Sequence, residues 1–242
     1  MARSFLKKAV LMLPRRKRKP NFNKVNFDNP SQEVIWKQIS TALEKGADIN
    51  MTDKYGRTIL AKAIDKEKEN IVAALLVKGA KVDKEILMSA MACDKECIYE
   101  SVVFKITDKK VLDEALLWSI ANHCDEERIK DLVVRGANPN ARGNRGARPL
   151  ILAVLGGNNE NNSNKDLIGF LINRGADPTE ADDDGLTALG AVYTNFVRDK
   201  EQEAMIKDAY DKRIGSKLSQ VRKVSSRFPF AFRREDNCRK RA

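Results

Sequence analysis

From residue 31 to 211, apolar and polar positions come in short blocks whose internal spacing is helical. Ile59, Leu60, Ala63 and Ile64 form one stripe with a period of about 3.6. The polar run 65–70 breaks it, and Ile71, Val72, Leu75 and Leu76 make a second face. The polar turn 53–57 precedes the pair, and Thr58 suits an N-cap because its hydroxyl can satisfy an orphan amide at the helix start. Gly79 suits the position after the second helix, where a positive φ is needed. The pattern predicts turn, helix, tight loop, helix and glycine stop. Helices of roughly eight to ten residues are marginal alone in water, so each must bury its stripe against neighbours. Ala61 and Ala63 are small enough to allow close approach.

The block recurs. Gly46-Ala47-Asp48, Gly79-Ala80-Lys81, Gly136-Ala137-Asn138 and Gly175-Ala176-Asp177 are separated by 33, 57 and 39 residues. The 39-residue step contains an Asn-rich stretch, 157–164, that reads as an insertion of about six residues. The 57-residue step holds one full repeat and one shortened repeat. A period of this size marks stacked supersecondary units and points to binding rather than catalysis.

Residue by residue, the blocks resemble ankyrin repeats. GRTILAKA (56–63) matches the start of the family pattern and IVAALLVKGAKVD (71–83) its end. GARPLILAV (146–154) keeps the family's proline at Pro149, LIGFLINRGADP (167–178) is close to the pattern, and GLTALGAVY (185–193) opens another repeat. No copy has the family's His, and Arg148 stands where Thr is usual. The resemblance covers roughly 31–211. It implies an all-α solenoid of helical hairpins with short β-turn fingers, and a concave surface of fingers and first helices used for recognition. Segments 84–106 and 109–135 each read as two short helices without a long finger. Ile86, Leu87, Ala90 and Met91 give one stripe; Leu112, Ala115, Leu116 and Ile120, then Ile129, Leu132 and Val133, give the next two. A capping helix with Val34, Ile35, Ile39 and Leu43 inward precedes about five repeats, and the charged helix 199–212 closes the array. The expected organisation is a basic, mostly disordered arm (1–30), the solenoid (31–213) and a flexible basic tail (214–242).

Charge sharpens this division. The chain carries +11 over 242 residues. Residues 1–33 hold +7 and 212–242 hold +9, leaving −5 on the body. Basic ends on an acidic array are weaker signs of nucleic-acid binding than a basic groove, since such ends also serve as addresses or membrane-surface contacts. Arg15, Arg16, Lys17, Arg18 and Lys19, between Pro14 and Pro20, resemble a nuclear localisation cluster. Phe5, Leu6, Ala9, Val10 and Leu13 could line a helix on a membrane surface or in a mitochondrial-type presequence. Lys7 and Lys8 interrupt the apolar run and argue against a secretory signal, and no stretch is long enough to span a bilayer. At the other end, arginines and phenylalanines interleave over 227–234, a composition that could stack on bases or dock on the last repeat. The Arg-rich C-terminus also loosely resembles export signals of secreted bacterial effectors.

Little in the chain suggests catalysis. Cys93, Cys97, Cys124 and His123 have the residue types of a Cys₃His zinc site, but an adjacent His-Cys pair seldom aims both side chains at one metal, so no metal site is assigned. A Cys93–His123 nucleophile pair lacks any accompanying oxyanion signature, and Gly156-Gly157 lacks the Lys-Ser/Thr of a phosphate loop. Cys238 reads as a free thiol. No catalytic residue and no cofactor is expected. The finger tips are the better candidates for a site. Lys54, Tyr55 and Arg57 occupy one finger, Arg142, Arg145 and Arg148 the next, and Asp182, Asp183 and Asp184 the last. A basic finger beside an acidic one would read a partner with the complementary charge step. The expected function is therefore non-enzymatic protein–protein interaction by a cytoplasmic monomer. The alternative is a nuclear or nucleic-acid-associated adaptor, or a secreted bacterial effector, that uses its basic ends for targeting or polyanion contact.

Overall fold

The computed structural model describes residues 20–156, 164–194 and 199–227. Among these residues, secondary structure consists of eleven α-helices, one short 3₁₀ turn and two isolated antiparallel bridges. The chain divides into two units, Met1–Lys105 and Ile106–Ala242.

The first unit contains α1 (Gln32–Glu44), α2 (Ile59–Asp65), α3 (Glu69–Val77), α4 (Lys84–Met91) and α5 (Glu96–Val103). Helices α2 and α3 form one hairpin, and α4 and α5 the next. Stacking is layer on layer: α2 packs on α4, while α3 packs on α1 and α5. The second unit repeats this plan with α6 (Lys109–Ala121), α7 (Glu126–Val134), α8 (Pro149–Gly156), α9 (Lys165–Asn173), α10 (Ala188–Thr194) and α11 (Lys200–Arg227). Its first helices α6, α8 and α10 make one layer, and α7, α9 and α11 the other. Every stripe named from the sequence in segments 84–106 and 109–135 is buried, from Ile86 to Val133. Each Leu, Ile or Val so buried contributes about 1.5–3 kcal/mol relative to exposure, which supplies the stability that such short helices lack alone.

Local chemistry sets the ends of these helices. Ser31, Thr58, Asp83, Asp108 and Asp125 cap α1, α2, α4, α6 and α7 through side-chain acceptors. The four Gly-Ala pairs stop second-layer helices by one device. At Gly79, φ is +89°, the Gly79 amide donates to Leu76 O at 3.2 Å, and the Ala80 amide donates to Leu75 O at 3.0 Å. This is the paired 6→1 and 5→2 bonding of a Schellman stop.

The residues after the stop tie one repeat to the next. Asp48 Oδ1 accepts from the Asn50 amide at 2.9 Å, and Asn50 Oδ1 then accepts from the Lys81 amide of the following repeat at 2.8 Å. In the second unit Asn140 Oδ1 accepts from the Asp177 amide at 2.6 Å, and its Nδ2 donates to Gly175 O at 2.9 Å.

Both boundaries of the array differ from expectation. On α1, Ile35 and Ile39 are buried, but Leu43 is half-buried and Val34 is 42% exposed. The helix has no hairpin partner, so only one side has something to pack on. Part of the expected arm is folded instead: Phe22 and Phe27 are buried, the Asn26 amide donates to Gln38 Oε1, and Asp28 pairs with Lys66 at 2.8 Å. At the other end, the closing helix expected over 199–212 continues to Arg227, into the segment assigned to the tail. Asp177 anchors its middle. Its carboxylate, with the side chain 4% exposed, takes Arg213 Nε at 2.8 Å and Lys217 Nζ at 3.2 Å, one helical turn apart.

Candidate partner-binding face

Three hairpin fingers precede first-layer helices. Each is closed by one backbone bond: Asp53 to Arg57, Gly143 to Ala147 and Asp182 to Leu186, all donated by the amide at 2.9–3.0 Å. In the first finger Asp53 Oδ1 also accepts the amides of Tyr55 and Arg57 at 2.8 and 3.0 Å, and Lys62 Nζ lies 2.9 Å from Asp53 Oδ2. The lysine, with help from those two amides, pulls the Asp53 carboxyl down to about 2. Asp182 repeats the turn, accepting from the amides of Asp184 and Leu186 at 3.1 and 2.8 Å. The middle finger has Gly143 at this position and turns through Arg145 and Gly146, both with positive φ.

The predicted tip residues fall into two groups. Tyr55 is 69% exposed, with Lys54 Nζ 4.7 Å and Arg57 Cζ 5.6 Å from its ring centroid. Arg57 also reaches Asp65 at 3.4 Å. The basic and acidic fingers of the second unit, by contrast, engage each other. Arg142 pairs with Asp183, Arg148 pairs with Glu180 at 2.7 Å, and the Asp183 amide donates to Arg145 O at 3.1 Å. Arg148 is half-buried and also donates to Asn140 O at 2.9 Å. The charge step is thus largely closed within the molecule; Arg145 and Asp184 remain exposed side chains at its rim. Arg15, Arg16, Lys17, Arg18 and Lys19 lie outside the described residues.

Behind these fingers the second unit presents a feature that the tip-based reading missed. Helix α6 packs inward through Leu112, Ala115, Leu116, Ser119 and Ile120. Leu117 and Trp118 lie on its other side and are only half-buried. On α8 Leu152, and on α10 Leu189, are likewise half-buried, and Tyr193 is 45% exposed. Since α6 packs on α8 and α8 on α10, Leu117, Trp118, Leu152 and Leu189 are partly open apolar residues on neighbouring first-layer helices, while the Tyr193 hydroxyl donates to Glu203 of α11 at 3.0 Å. Leu117 reaches the finger: a Cβ added at Gly143 would stand 2.9 Å from Leu117 Cδ1, so a larger residue there would push the leucine tip aside. The signal was in the sequence. ALLWSIA and PLILAVLG are apolar almost all round, more than a helix buried on one side requires.

Cys93 is buried, Cys97 is exposed and Cys124 is half-buried. Burial pushes the Cys124 thiol up, and burial together with Glu69 pushes up that of Cys97, the opposite of nucleophile activation. Among the described residues no three of His, Cys, Asp or Glu gather as metal ligands, and no helix is long and apolar enough to cross a membrane.

The chain is similar to the crystal structure of an ankyrin repeat domain from Acinetobacter baumannii. The TM-score is 0.60 at 26% identity, over 72% of this chain and 91% of that one. The fold is that of an ankyrin-repeat array. The ankyrin repeat domain of Bcl-3, described as a unique member of the IkappaB family, shares the fold at a TM-score of 0.59 and 16% identity, covering 84% of this chain and 90% of that one. No family model matches the chain. A curated L-asparaginase of Dirofilaria immitis is 27% identical over 157 residues, 60% of this chain. The chain spans a quarter of that protein's length. The ankyrin fold is an interaction scaffold, and the function is at its coarsest protein–protein interaction.

Proposed function

We propose that this ankyrin-repeat protein captures a protein partner on the first-helix face of its second unit, with the fingers as a polar rim. The observation that carries the reading is the set of Leu117, Trp118, Leu152 and Leu189, a strip of apolar side chains left partly open to solvent on three neighbouring first-layer helices. A contiguous apolar surface rimmed by polar groups is the composition of an interface core. Trp and Tyr are the residues that most often dominate binding energy there. Arg145 and Asp184 on the rim orient the partner and set the salt dependence of the on-rate. The first finger, with Tyr55 between Lys54 and Arg57, offers a second anchor of the same kind.

Affinity capture with the full chain as bait tests the assignment. Trp118→Ala should weaken capture by roughly thirtyfold, the loss of a hot spot of about 2 kcal/mol, while circular dichroism stays unchanged. Full capture by that variant would refute the strip as the site. Arg145→Glu is the cleaner rim variant, since replacing Arg148 would also break its half-buried bonds to Glu180 and Asn140. Capture that survives 0.5 M salt separates a protein partner from phosphate-driven binding, which falls steeply with ionic strength.

A further inference from the structure

The outward turn of Val34 opens a second surface, on the first unit. Val34 lines an open groove of about 830 Å³ formed by α1 and residues 20–25. Val34, Lys37, Thr41 and Lys45 succeed one another at steps of three and four, so one stripe of α1 makes a wall, turned away from Ile35 and Ile39. Val25, Val34 and Ala42 supply an apolar lining, and Lys24, Lys37 and Lys45 supply its charge. No carboxylate lines the groove, and none of these three lysines belongs to an ion pair among the described residues.

From this geometry we propose that the groove docks an amphipathic helix of a partner protein, one whose apolar stripe is flanked by carboxylates. Three features select that occupant. The wall from Val34 to Lys45 is about 16 Å long at 1.5 Å per residue, three turns of helix, so a partner helix of similar length can follow it. Each hairpin of this fold already stabilises itself by laying one apolar helix stripe beside another, and α1 has a helix, α3, packed against it while its groove face has none among the described residues. Finally, the lysines ask for carboxylates: an acidic helix would neutralise three cations that have no ion pair among the described residues. The chain's own residues 1–19 join the groove at Pro20, but Arg15, Arg16, Lys17, Arg18 and Lys19 would bring five cations against those three. A recess between two walls also suits a rod better than a flat anionic membrane.

The test is an amide chemical-shift titration of the full-length protein with two synthetic 18-residue peptides that share one helical leucine stripe. One carries glutamates on its other positions and the other carries lysines. The Leu/Glu peptide should shift the amides of Val34, Lys37, Thr41 and Lys45, and the Leu/Lys peptide should leave them in place. Lys37→Glu/Lys45→Glu should raise the dissociation constant at least tenfold, and Val34→Glu should do the same through the apolar wall; all three residues are exposed, so helix content should persist. Equal response to the two peptides, or shifts confined to residues 117–193, would overturn the proposal. So would groove amides that move in the peptide-free chain on Phe5→Ser/Leu6→Ser, which would give the groove to the chain's own arm. Saturable displacement of the Leu/Glu peptide by phosphatidylglycerol vesicles would give it to a membrane.

Discussion

Asp177→Ala should unfasten the last helix while the rest of the array stays folded. The Asp177 carboxylate accepts from the Thr179 amide at 3.0 Å, Thr179 Oγ1 at 2.6 Å, Arg213 Nε at 2.8 Å and Lys217 Nζ at 3.2 Å. Hydrogen bonds to charged groups contribute about 1.5–3 kcal/mol each when sheltered. Arg213 and Lys217 are half exposed, with side chains 51% and 53% accessible, so their share is discounted toward the lower end. Together with the lost Thr179 turn, the substitution should cost about 2–4 kcal/mol. Repeat arrays distribute stability locally, so the loss should appear in α11 and the 177–179 loop. Amide hydrogen exchange is the assay: 3 kcal/mol is roughly a hundredfold faster opening, expected over 204–219 and absent over 59–103. Asp177→Asn, which keeps the turn but removes the charge, should give an intermediate value. Unchanged exchange in α11 with Asp177→Ala would show that its apolar contacts alone hold it, and would refute the reasoning.

Further predictions test the same physics elsewhere. Gly79→Ala has open space around it but a φ of +89°, so it should lower stability by about 1–2 kcal/mol from backbone strain alone, read from a denaturant midpoint. Asn140→Ala removes the bonds to Gly175 and Asp177 across two repeats and should cost about 1–3 kcal/mol, with faster exchange at the 175 and 177 amides first. The Asp53 carboxyl, held near 2, has a folded value below its unfolded one. Its contribution to the first finger is therefore complete above about pH 4 and lost as pH falls through about 2. A carbon-detected carboxyl titration checks this, and Lys62→Met should return the value toward the ordinary 3.8.

Much of the fold could be read from spacing alone, because glycine stops, caps and stripes each reflect a local physical requirement. Gly79, Thr58 and the stripe from Ile86 to Met91 behave as their neighbours in the sequence dictate. The ends of the array were not legible that way. Val34 looks inward by periodicity, yet a terminal helix has only one packed side. The anchoring of α11 at Arg213 and Lys217 rests on Asp177, which lies 36 residues before Arg213 and is joined to it only in three dimensions. The candidate site was half legible. Charged tips stand out in a sequence, but their mutual neutralisation by Arg142–Asp183 and Arg148–Glu180 is a tertiary fact. The apolar excess of α6 and α8 was visible as composition, and only packing separates its buried stripe from its open one.

The claim that matters most is that a protein partner is held by the open strip of the second unit. Hydrogen-exchange or hydroxyl-radical footprinting of the full chain, free and bound to its captured partner, tests it most directly. Protection should fall on Leu117, Trp118, Leu152 and Leu189, with Arg145 and Asp184 at the margin. Protection confined to residues 1–19 and 228–242, with the strip as accessible as before, would contradict the account.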